Sequence, residues 1–166
     1  MTDPLHERNS LLTASDPELL AACRVDVFRG SGRGGQKRNR TESAVRVTHL
    51  PSGITATSDE TRSQHTNKRL ALRRLREEIA LQCRSDTPDT GRAAQRPARK
   101  SPDYPLWLAA MVDLLAHVQF RVADAAAQLD TSTGRLVREL ARDPALWQTV
   151  NRERTRLGLS VLRMPK

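Results

Sequence analysis

Three glycines in four residues, Gly32-Arg33-Gly34-Gly35, followed by Gln36, constrain this chain more than any other feature. Such a stretch has little side chain to pack and reaches backbone conformations closed to other residues, so its main chain can press directly against a ligand. Composition alone leaves three uses open: a hairpin turn, a phosphate cradle or a linker. The surroundings argue against a nucleotide loop. Gln36 is followed by Lys37-Arg38-Asn39-Arg40 in place of the helix-opening Lys-Ser/Thr of a P-loop, and no dinucleotide spacing with a downstream acid fits.

The remaining chain sets bounds on the partner. Its 166 residues suffice for one ordinary domain or two small ones, and with 37% apolar residues the cores should be small. A formal net charge of +9 points to a polyanion, and 3% aromatic content favours phosphate contacts over stacked bases. The charge is concentrated around the loop: residues 24 to 84 hold 14 Lys/Arg against 6 Asp/Glu, residues 1 to 23 hold 1 against 4, and residues 85 to 166 hold 13 against 9. Cys23 and Cys83 lie far apart outside any CxxC, so they support neither a disulfide framework nor a zinc site, and no metal or other cofactor is expected. No apolar run reaches bilayer length, and the acidic N-terminus has neither signal-peptide nor transit-peptide character; a cytoplasmic protein without a membrane partner is expected.

Four segments are expected. Residues 1–14 read as a disordered lead-in and residues 15–83 as an α+β domain around the glycine loop. Residues 84–105, rich in Pro, Gly, Ser, Thr and charge, read as a flexible linker, and residues 106–166 as a small all-α unit. Ser15-Asp16-Pro17-Glu18 signals a helix start, with Leu19, Leu20 and Cys23 facing a sheet whose first strand holds Val25, Val27 and Phe28. In the last segment, helices are expected over Leu106–Val118, Val122–Leu129, Ser132–Leu140 and Pro144 to about Leu157, stopped by Gly158. The second and third of these, joined by Asp130-Thr131, form a helix-turn-helix-like pair with Arg135, Arg138 and Arg142 outward.

After the loop come two β-prone runs, Ala44–Leu50 and Ile54–Thr57, around the turn signal Pro51-Ser52-Gly53. A helical pattern then runs from Asn67 to Gln82, with Leu70, Leu72, Leu75 and Ile79 at helical spacing and Lys68, Arg69, Arg73, Arg74 and Arg76 over much of the rest. Its charged face can meet RNA, or water with pairs such as Arg73 to Glu77 at i,i+4. In order and without insertion, GSGRGGQ, NRTESAVRVTHLPSGI and RSQHTNKRLALRRLRE resemble the catalytic GGQ domain of bacterial-type class I peptide chain release factors, from about Ser15 to Ile79.

That resemblance implies a chemistry. No triad, metal cluster or acid pair lies near the loop in sequence, and His49 and His65 read as hydrogen-bonded structural residues. A reaction must therefore rest on placement and backbone dipoles, which suits hydrolysis of an already activated ester. The resemblance implies that Gly34, Gly35 and Gln36 enter the peptidyl transferase centre of the large ribosomal subunit and act on peptidyl-tRNA. The Gln36 N–H would stabilise charge on the tRNA oxygen, and its side chain would line the site of the attacking water. It also implies that Gln36 is a target of a glutamine N5-methyltransferase. Asn39, Arg40 and Thr41 match one family signature and Arg62, Ser63 and Gln64 a second; both are expected to position the loop and touch RNA, joined by Lys68, Arg69, Arg73 and Arg74.

The pattern departs from the family at Arg33, which replaces a Pro or Ala, and at Lys37-Arg38, which replaces a His/Lys-Val pair. Both changes add charge beside ribosomal RNA. With only a short stretch before the domain and a different module after it, stop-codon reading is not expected. The compact, codon-independent rescue factors are the better match, and a monomer is expected. Two rival readings stand beside this one: a non-catalytic ribosome- or rRNA-binding protein on the same scaffold, and a nucleic-acid regulator led by the helix-turn-helix. The intact Gly34-Gly35-Gln36 favours the catalytic reading over the first, and the weaker charge of the C-terminal segment disfavours the second.

Overall fold

The two β-prone runs and the strand before them pair into one three-stranded antiparallel sheet, order β1-β2-β3, in the computed structural model, which describes residues 4–29 and 43–165. The strands are β1 (Cys23–Phe28), β2 (Ala44–His49) and β3 (Thr55–Ser58). The helices described are α1 (Pro4–Thr13), α2 (Asp16–Ala21), α3 (Gln64–Gln82), α4 (Thr90–Ala94), α5 (Tyr104–His117), α6 (Val122–Gln128), α7 (Thr133–Ala141) and α8 (Pro144–Arg156). This is the expected α+β class. The chain divides into two compact units, Ser10–Ile79 and Met1–Asn9 with Ala80–Lys166.

In the first unit, alternation sets the register. Val45 pairs with Val27 and Ser58, and Val47 with Val25 and Ala56, so these residues share one face. Val45 and Val47 are fully buried, as are Ala71, Leu75 and Ile79 on α3, and these apolar surfaces form the unit's core. The β2–β3 turn needs Gly53 at φ +69°, where its N–H donates to His49 O at 2.8 Å. Helix α2 starts where expected, and Ser15 rather than Asp16 caps it, in a capping box with Glu18. Its hydroxyl and N–H hold the Glu18 carboxyl below the usual range. Helix α3 begins at Gln64, three residues before the apolar pattern does, because Ser63 Oγ accepts the Thr66 N–H and Ser63 O the Asn67 N–H.

The second unit is helical. Helix α5 is buried along almost its whole length and turns into α6 through 117°. Ser132 caps α7 and Asp143 caps α8, with Asp143 Oδ1 accepting the Leu146 N–H at 2.9 Å. Gly158, at φ +71°, ends α8 as expected. No single helix among the described residues is long and apolar enough to cross a membrane.

Two expectations are corrected. The lead-in 1–14 is helical over Pro4–Thr13. Within the second unit, Arg8 is buried and donates to Asp113 Oδ2 at 2.7 Å and to Cys83 O at 3.2 Å, so tertiary contacts order a helix with little amphipathic pattern of its own. The segment 84–105 is likewise no free linker. It carries α4, whose Ala93 is buried and accepts the Trp107 Nε1–H at 3.1 Å, while the Arg96 guanidinium lies 5.0 Å from the Trp107 ring. A buried alanine and the stacked arginines Arg96 and Arg99 help to dock it, a signal its polar composition conceals. Cys23 and Cys83 are free and half-buried, and burial pushes both thiols up.

Candidate functional site

Strands β1 and β2 are antiparallel neighbours, and their last pair, Phe28 with Ala44, fixes where the glycine loop leaves and re-enters the sheet. The expected site residues Arg33, Gly34, Gly35, Gln36, Lys37, Arg38, Asn39, Arg40 and Thr41 lie outside the described residues. The root of the loop is described in detail. Arg46 stands over the Phe28 ring, with its guanidinium carbon 5.0 Å from the ring centre.

On the return side, Ser43 is buried and its carbonyl accepts a 2.7 Å hydrogen bond from Asn67 Nδ2. The same amide nitrogen donates to Thr61 O at 2.8 Å, while Asn67 Oδ1 accepts the Thr61 N–H and hydroxyl, each at 3.0 Å. Asn67 is fully buried and uses two donors and two acceptances, which satisfies its amide. Thr61 in turn bonds Ser63, so one side chain joins the loop's return end to the turn carrying Arg62-Ser63-Gln64. Sequence reasoning assigns Asn67 only to a helical pattern. The available signal is its spacing: Asn67, Ala71, Leu75 and Ile79 recur every four residues, placing an amide on the apolar face of α3.

The remaining expected site residues separate by partner. Arg62 and Gln64 are exposed, Ser63 caps α3, and Lys68 and Arg69 follow on its first turns. Among the described residues, Arg62, Lys68 and Arg69 form no ion pair. Arg73 pairs with Glu77 at 3.4 Å, the i,i+4 arrangement considered from sequence. Arg74 donates to Thr57 O at 2.6 Å and pairs with Glu60, bracing the outer strand while staying half-exposed. Arg76 is turned inward: only 13% exposed, it bonds Ala14 O at 2.7 Å and Asp16 at 2.9 Å, and so leaves the basic face. His49 is buried with Nδ1 2.8 Å from Ser52 Oγ, the expected structural role, whereas His65 is exposed on the first turn of α3.

Backbone pairing thus fixes Phe28 beside Ala44, and a buried amide ties Ser43 to a turn and a helix that present cations, a surface suited to a polyanion.

Comparison with known proteins gives the same region. The RF-1 domain family matches residues 20–103. The chain is 53% identical over 76 residues to peptide chain release factor 1 of Acidiphilium cryptum, covering 46% of this chain and 21% of that protein. It is 48% identical over 85 residues to peptide chain release factor 1 of Gluconobacter oxydans, covering 51% and 23%. It is 55% identical over 56 residues to peptide chain release factor 2 of Pseudothermotoga lettingae, covering 34% and 15%. The chain thus spans about a quarter or less of the length of the curated relatives it matches.

Proposed function

This chain belongs to the RF-1 domain family, and on that premise we propose that it hydrolyses the peptidyl-tRNA ester on the large ribosomal subunit, as a codon-independent rescue factor. The observation that carries the proposal is an uninterrupted Gly34-Gly35-Gln36 inside a stretch about half identical to named release factors.

In the proposed reaction a water oxygen attacks the ester carbonyl carbon. The bond to the tRNA 3′ oxygen breaks, that oxygen takes up a proton, and the peptide leaves as a carboxylic acid. The Gln36 N–H stabilises the charge developing on the oxygen, and its side chain admits water while excluding larger nucleophiles. Gly34 and Gly35 allow close approach of the backbone to the terminal adenosine. Asn67, holding Ser43 and Thr61, keeps the loop root and the Arg62 turn in one frame, which is the placement such a reaction depends on. Arg62, Lys68 and Arg69 contact rRNA phosphates, joined by Arg33, Lys37, Arg38 and Arg40 from the loop. The protein acts in the cytoplasm as a monomer, and the Gln36 amide is the target of a glutamine N5-methyltransferase.

Codon independence draws on the helices C-terminal to the matched region. There α7 and its C-cap offer the exposed cations Arg135, Arg138 and Arg142, a surface suited to phosphate. The test is peptide release from purified stalled ribosomes and from split large subunits bearing peptidyl-tRNA. Gln36→Ala, and more severely Gly35→Ala, are expected to abolish release while ribosome binding stays nearly intact, because binding is spread over many cations. Wild-type release rates in both variants would remove the catalytic assignment.

A further inference from the structure

Helix α7 buries Leu136 and Leu140 and leaves Arg135, Arg138 and its C-cap residue Arg142 exposed, so its outer edge is a line of guanidinium groups. Two hollows flank that edge. One, of about 730 Å³, opens between α7 and the segment after α4, with Arg96, Arg99, Arg135 and Arg142 in its lining. The other, of about 630 Å³, is lined by Arg135, Arg138 and Arg142 on the side of Met164 and Pro165.

The basic lining is built. Arg96 lies over the Trp107 ring at 5.0 Å and the Tyr104 ring at 5.6 Å, and donates to Glu139 at 2.8 Å. Arg99 lies 4.5 Å from the Tyr104 ring centre and 3.4 Å from Asp143, yet its side chain stays 44% exposed. Asp130 and Glu139 line the first hollow and Glu139 the second as well, and the Glu139 carboxylate is already shared between Arg96 and Arg142. Among the described residues Arg135 and Arg138 form no ion pair, so cationic capacity is left over along the edge.

The available side chains narrow the ligand. Stacking of unpaired bases needs exposed aromatic rings, but Tyr104 and Trp107 are 1% exposed and lie beneath the arginines. A helix reading DNA in the major groove presents several base-contacting side chains from its N-terminus, whereas the first turn of α7 holds Thr133, Gly134 and Arg135, a single long side chain, behind the Ser132 cap. What remains is a row of cations for backbone phosphates, the means by which paired RNA is bound through its shape. We infer that the arginine edge of α7 and its two hollows form a second RNA site, separate from the glycine-loop domain, that holds the phosphate backbone of double-helical RNA. The choice of RNA rests on the ribosomal reading above; the phosphate site itself rests on the arginine geometry.

The test uses the full chain and a fluorescent RNA duplex, titrated across a range of salt concentrations. Compared are the wild type, an Arg135→Gln/Arg138→Gln variant and Gln36→Ala, with the DNA duplex of the same sequence and a single-stranded oligouridine as further probes. The double variant is expected to bind the RNA duplex several-fold more weakly, with a log–log salt slope shallower by about two, one for each lost phosphate contact. Its thermal melting should match the wild type, since both arginines are exposed. Unchanged affinity and slope would overturn the site, as would tighter binding of the oligouridine or equal binding of the DNA duplex. The two readings fail separately. Gln36→Ala should keep wild-type RNA affinity, so release surviving that change would remove the catalytic proposal and leave the arginine site standing.

Discussion

Asn67 Nδ2 lies 2.7 Å from the carbonyl oxygen of Ser43, a bond spanning 24 residues between the return end of the glycine loop and the first turns of α3. The same nitrogen donates to Thr61 O, so the amide group faces two carbonyls in a site closed to water. Asn67→Asp keeps the shape but sets an oxygen against those carbonyls. It is expected to cost about 2–4 kcal/mol, since two bonds are lost and buried acceptors are left unsatisfied. Urea unfolding measures this directly, and peptide release should fall with it. A variant as stable as the wild type would show that the amide is not the clamp described.

That clamp marks the boundary of what the residues reveal before folding. Strand pairing is legible because Val45 and Val47 alternate with polar residues and Pro51-Ser52-Gly53 marks the turn; both signals are local. The helix starts near Ser15, Ser132 and Pro144 are local as well, and lie where the helix-start signals place them. Asn67 is not legible as a clamp, because its partners are chosen by the fold. Arg8 is the same case: a polar lead-in becomes a helix because Asp113, 105 residues away, supplies a buried carboxylate. Burial pushes that carboxyl up, while the Ser85 N–H and Arg8 pull it down. The segment 84–105 looks like a linker for a related reason. Composition counts polar residues, but docking there depends on Ala93 and on Arg96 lying over Trp107. For the charged residues of α3, residue order displays the cations without their partners, and so cannot separate Lys68 and Arg69 from Arg74 and Arg76.

Tyr104 supplies a pH test of the helical unit. Its hydroxyl donates to Asp143 Oδ2 at 2.6 Å and accepts from Arg96 at 3.2 Å. Burial, with the bond to Asp143 second, pushes its pKa from 10.0 up to about 12. The folded value is above the unfolded one, so this contribution to stability is fully present below pH 10 and is lost as pH rises toward 12. Tyr104 is the sole tyrosine, so tyrosinate absorbance reports on it alone. The folded chain should titrate near 12 and the urea-unfolded chain near 10. Tyr104→Phe should lower stability at neutral pH by about 1 kcal/mol and flatten the alkaline loss seen by circular dichroism. A folded-state midpoint near 10 would contradict the buried hydroxyl.

The identity of the A-site codon should not matter to release. The cations on offer, Arg62, Lys68 and Arg69 beside the loop root and Arg135 and Arg138 on α7, are suited to phosphate, and phosphate contacts carry no base information. Affinity built this way falls steeply with salt, because each neutralised phosphate releases counterions. A factor that places its loop by such contacts should release peptide at similar rates whether a stop codon, a sense codon or no codon lies beyond the P site, and all three rates should decline together as salt rises. The measurement is single-turnover peptide release from those three complexes at matched protein concentration. A tenfold or greater preference for stop codons corresponds to about 1.4 kcal/mol of discrimination, more than sequence-blind contacts supply, and would place this chain with the codon-reading factors.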